Sequence, residues 1–75
     1  MAVIEYNDLT KGQKVYYTYT TMDAVYGPFT VVSKYRNYQG ENVFLRGKGG
    51  DVRSVLLADD EDFGAPLFYD KPPGA

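Results

Sequence analysis

Side chains able to do chemistry are few in kind in this chain. Its 75 residues include no His and no Cys, which removes the commonest general base, the usual zinc and haem ligands, the thiol nucleophile and every Ser-His triad. What remains is eight Tyr, eight Lys and Arg, and ten Asp and Glu. A catalytic site would have to be assembled from Asp, Glu, Tyr, Lys and Ser on a domain too small to enclose a deep pocket, and no carboxylate pair stands out for acid-base work. Catalysis is therefore not expected, and neither is a cofactor. Gly47-Lys48-Gly49-Gly50 lacks the spacing and the following Lys-Ser/Thr pair of a phosphate-binding P-loop, and reads as a hairpin turn. Asp59-Asp60-Glu61-Asp62 lacks the loop glycine and the bidentate glutamate of a calcium loop, so no specific metal site is expected.

Binding chemistry is better represented. Residues 11–53 carry seven basic groups and three acidic ones, whereas residues 54–75 carry five acidic groups and one lysine. A basic body joined to an acidic tail suits either competition with nucleic acid or docking on another protein; equally, the acids simply solvate a strand end. Exposed tyrosines interleaved with basic residues stack on bases in single-strand binders and anchor protein interfaces. Strand alternation puts Tyr16 on the outer face, and Tyr35 and Tyr38 fall near a loop beside Lys34 and Arg36. Tyr16, Tyr35, Arg36 and Tyr38 form the first candidate patch. The second is a tail anchor of Phe63, Leu67, Phe68 and Tyr69, a segment broken by Gly64 and Pro66 that must pack over an open end of its own domain or in a partner's groove.

These residues need a scaffold, and 75 residues without disulfides allow one compact domain near the lower size limit for an unaided core. Lys14-Val15-Tyr16-Tyr17-Thr18-Tyr19-Thr20-Thr21 is almost wholly β-branched or aromatic, which suits a half-buried strand with Val15, Tyr17 and Tyr19 on one face. Leu9 is expected to plug the core from below. A second strand is expected to begin at Phe29, after the punctuation of Gly27-Pro28, with Phe29 and Val31 inward. A turn over residues 37–42, a strand from Asn42 to Arg46, the Gly-rich hairpin and a strand over Val52–Leu57 follow, and a short edge strand opens the chain. Composition then shifts at Ala58. The expected organisation is a β domain over residues 1–57 and an acidic, aromatic, Pro/Gly-rich tail over residues 58–75.

About five short strands and no helix predict an all-β fold, a small antiparallel barrel or strongly bent sheet with an irregular C-terminal tail. Leu9-Thr10-Lys11-Gly12-Gln13-Lys14-Val15, then Tyr26-Gly27-Pro28-Phe29-Thr30-Val31-Val32, then Val43-Phe44-Leu45 and Val52-Arg53-Ser54-Val55-Leu56-Leu57 resemble the order of SH3-like small barrels. The likeness is to the C-terminal barrels of retroelement integrases and to chromodomain-like modules, and it covers roughly residues 9–57 with motifs of only a few residues each. The tryptophan usual before Gly-Pro in the integrase barrels is Tyr26 here.

The expected function is that of a non-catalytic protein-binding module, in the style of a small bacteriophage accessory protein that binds a host protein or serves as a minor subunit of a larger assembly. The alternative is a nucleic-acid-binding barrel in which Lys34, Arg36, Arg46, Lys48 and Arg53 contact phosphate and the acidic tail competes for the same face. No apolar run approaches the roughly 18 residues a membrane span needs, and the N-terminus lacks a basic-then-apolar export signal. A cytoplasmic location, in the host or a virion if the protein is viral, is the default.

Overall fold

The computed structural model describes residues 3–21, 24–58 and 64–73. Six strands, β1 (Val3–Ile4), β2 (Lys14–Tyr19), β3 (Tyr26–Asn37), β4 (Gly40–Gly47), β5 (Val52–Leu56) and β6 (Pro66–Tyr69), form one antiparallel sheet in the order β1-β6-β2-β3-β4-β5. The all-β expectation holds. No helix among the described residues is long and apolar enough to cross a membrane. The sheet is open, with β1 and β5 as its two edges, so the barrel expected from sequence is not closed.

Alternation in β2 places Val15 and Tyr17 in the core and leaves Tyr16 and Thr18 half-buried on the other face. Among the described residues the buried cluster comprises Leu9, Val15, Tyr17, Phe29, Val31, Val43, Leu45, Val55 and Phe68. Leu9 reaches it from the loop after the short 3-10 turn Tyr6–Asp8 and is fully buried, as expected of a plug. Tyr17 is the aromatic hub. Its ring stacks on Tyr26 at 5.2 Å, meets Tyr19 edge-on at 5.9 Å, and lies 5.7 Å from both Phe29 and Phe68. Aromatic pairs at such separations add attraction beyond the area they bury, which compensates for a core short of Leu and Ile.

Two irregularities curve the sheet. Between the pairs Val15↔Phe29 and Tyr17↔Tyr26, Tyr16 alone faces both Gly27 and Pro28. Between Val31↔Leu45 and Ser33↔Phe44, Val32 has no counterpart on β4. An extra residue in one strand bends it and increases its twist. The first bulge also explains why β3 starts at Tyr26 instead of Phe29: proline lacks the N–H a ladder needs, and a bulge is a position where none is required. Gly27 has φ +144°, the Gly27-Pro28 peptide is cis, and a Cβ at Gly27 would collide with the Tyr16 ring. The Gly-Pro pair therefore sits inside a strand that the sequence suggested it would precede.

Most consequential is β6. The expected irregular tail contains a strand that pairs on one side with β2, from Tyr16↔Tyr69 to Tyr19↔Pro66, and on the other with β1, through Val3↔Tyr69 and Ile4↔Phe68. Four residues suffice because alternation sends Pro66 and Phe68 to the buried side, where Phe68 meets Tyr17. The compositional shift at Ala58 does not interrupt the sheet. Residues 59–63, which include the acidic run, and residues 74–75 lie outside the described residues.

Candidate functional site

The β3–β4 hairpin is the longest in the fold, and its second half carries the expected aromatic-basic residues. Asn37 pairs with Gly40 across a two-residue turn of Tyr38 and Gln39. The Asn37 side chain orders that turn: its Oδ1 accepts from the Gln39 amide at 2.9 Å and from Asn42 Nδ2 at 3.3 Å, and Asn42 Nδ2 also donates to the Gly40 carbonyl at 3.0 Å. Asparagine bonds of this kind replace the flexibility of a bare turn with a fixed one. Arg36 Nη2 and Glu41 Oε2 are 2.7 Å apart and brace the hairpin below the turn. That hydrogen bond, with the carboxylate's charge behind it, raises the Arg36 pKa above its ordinary value. Tyr38 stands 96% exposed at the tip.

Tyr35 is on the face opposite Arg36, 41% exposed, and its hydroxyl meets the Ser54 hydroxyl on β5. Lys34 is tied down: its ammonium donates to the Tyr6 carbonyl at 3.0 Å and lies 4.9 Å from the centre of the Tyr6 ring. The hairpin thus gathers Tyr35, Arg36 and Tyr38 but not Tyr16. Tyr16 lies opposite Gly27 and Pro28, and the seven or so residues from there to Tyr35 amount to more than about 20 Å of strand at roughly 3.3 Å each. The four-residue patch is in fact two places.

The expected tail anchor is used internally. Phe68 is 1% exposed in the core, so it is not available to a partner while β6 holds its place. Leu67 and Tyr69 are half-buried on the opposite side of that strand, and Phe63 is outside the described residues.

The five cations named for nucleic acid also separate. Arg53 Nη1 donates to the Tyr17 hydroxyl at 2.9 Å, and its guanidinium lies 4.7 Å from the centre of the Phe29 ring. The bond to Tyr17 raises the Arg53 pKa, against an opposing effect of desolvation. Arg53, Lys34 and Arg36 all have partners. Arg46 and Lys48 do not pair with any acid among the described residues; with Lys14, Pro28, Phe29, Thr30 and Gly47 they line an open groove of about 400 Å³. Register explains the grouping, since Lys14, Thr30 and Arg46 occupy directly neighbouring positions on β2, β3 and β4. Lys14 was not singled out from sequence. Its placement one residue before inward Val15 was the available signal, but only strand pairing shows that it shares a row with Arg46.

Among known protein families, curated proteins and solved structures, none matches this chain.

Proposed function

We propose that this protein is a non-catalytic binding module that engages a partner protein through the tip of its β3–β4 hairpin. The observation that carries the reading is Tyr38, a large aromatic side chain left 96% exposed on a turn held by side-chain hydrogen bonds. Exposing such a ring brings no folding benefit, and a preordered turn loses little entropy when a partner's pocket takes the ring. Tyr35 and Arg36 flank it with the residue types that dominate interface hot spots. On this reading the chain works as an accessory protein, such as a bacterial virus directs at a host protein, or as a minor subunit of a larger assembly. The likeness to SH3-like modules adds the expectation that a curved sheet serves as a rigid frame for the presented loop.

Affinity capture with the full chain and with Tyr38→Ala, followed by titration of the purified captured protein, tests this. A partner held by the parent chain and weakened at least tenfold by Tyr38→Ala supports it. A partner bound equally by both overturns the assignment of the tip.

A further inference from the structure

We propose that the groove between the β2–β3 bulge and the β4–β5 turn is a second binding site, independent of the hairpin tip, that takes the sugar-phosphate backbone of single-stranded nucleic acid. Three cationic residues line it, Lys14 with its ammonium 5.9 Å from the centre of the Tyr16 ring. Adjacent strands are about 4.8 Å apart, so the register Lys14↔Thr30 and Thr30↔Arg46 puts the Lys14 and Arg46 backbones roughly 10 Å from each other with the exposed Thr30 hydroxyl between them. Lys48 joins them from the turn. On a chain with a net charge of −2, this is a local excess of positive charge, three cations against the one Asp51 carboxylate that borders it at Gly47.

Turn geometry adds donors. The Gly47 amide donates to the Asp51 carbonyl and the Gly50 amide to the Gly47 carbonyl, while the Lys48 and Gly49 amides have no backbone acceptor among the described residues. The arginine fork and threonine hydroxyl suit a phosphate's several oxygens. Pro28 adds an apolar surface to the groove, which a nucleotide can use for its sugar or base. The limited span selects a single strand. A duplex would need a longer cationic surface, and the remaining candidates Lys34, Arg36 and Arg53 are engaged with Tyr6, Glu41 and Tyr17.

The test is fluorescence anisotropy of a dye-labelled twelve-nucleotide oligothymidylate with the full chain, run beside the matching duplex and a polyglutamate peptide. Three phosphate contacts predict that affinity falls about twentyfold between 50 and 200 mM salt, from a slope of roughly −0.7 per phosphate on single strands. Replacing Lys14, Arg46 and Lys48 together by Gln is expected to weaken binding at least tenfold, whereas Lys34→Gln and Arg36→Gln change it less than twofold. Should the triple variant fail to fold, amide shifts of the parent chain decide: Thr30, Lys48 and Gly49 are expected to move most when the oligothymidylate is added. Absence of binding at 50 mM salt, binding insensitive to salt, shifts centred elsewhere, or preference for the duplex or the polyglutamate would each overturn the proposal.

Discussion

Arg53 and Tyr17, 36 residues apart in the chain, meet at the rim of the core, where the guanidinium donates to the phenol oxygen at 2.9 Å. Tyr17 is 3% exposed, so its hydroxyl needs a partner at the one point where the ring reaches the rim. Arg53 supplies it while its planar group lies along the Phe29 ring, and its 40% side-chain exposure keeps the charge hydrated. One residue thus satisfies a buried polar atom and covers an aromatic edge. Arg53→Ala is expected to destabilise the fold by about 1–2 kcal/mol. A double-mutant cycle with Tyr17→Phe, measured by urea unfolding, should show a coupling of about 0.5–1.5 kcal/mol. Additive losses would mean that the two side chains act separately.

Truncation after Leu57 removes β6, which among the described residues is the strand that joins β1 to β2. The shortened chain is expected to lose the dispersed amide spectrum of the full protein, despite retaining all of residues 1–57. Within β6, Phe68→Ala is expected to cost about 3–5 kcal/mol, because it opens a cavity against Tyr17. A well-folded truncation would show that β6 is dispensable.

Gly64 has φ +75°, and a Cβ there would overlap the Thr20 side chain. Gly64→Ala combines a disfavoured backbone with a collision at the point where the Thr20 amide donates to the Ala65 carbonyl. A loss of about 1–3 kcal/mol is expected in thermal or urea unfolding. Gly12, also at positive φ but with open space around it, should tolerate Ala better, and an equal loss at both would exclude the collision as the cause.

Tyr38→Ala should leave stability within about 0.5 kcal/mol of the parent, since surface substitutions away from caps and strained positions rarely do more. Asn37→Ala should loosen the turn by removing the acceptor for Gln39 and Asn42. Faster amide exchange at Gln39 is the expected signature. If Tyr38→Ala lowers stability by more than 1 kcal/mol on the same scale, its ring has a structural contact and its exposure is no sign of a binding role.

Local patterns made much of the fold legible. Alternation of Val15, Tyr17 and Tyr19, the pairing of Phe29 with Val31, and the glycines around Lys48 depend only on the two-residue period of a strand and the steric freedom of a turn. Tyr38 was legible as exposed for the same reason, being flanked by turn formers. The tail misled because Gly64 and Pro66 look like breakers, and a four-residue strand is too short to announce itself. Its partners are β1 and β2, more than 45 residues earlier in the sequence.

What the sequence determined by itself is the all-β class, most of the buried face, and the absence of His and Cys chemistry, since each follows from residue type and nearest-neighbour spacing. Tertiary structure alone decided that the sheet stays open, that Phe68 belongs to the core, and that Arg53, Lys34 and Arg36 are held by partners while Lys14, Arg46 and Lys48 share a groove. Those outcomes rest on register between strands distant in the chain. A shift of one residue reverses every side chain in a strand, so only the assembled sheet determines which charges meet and which are left to bind something else.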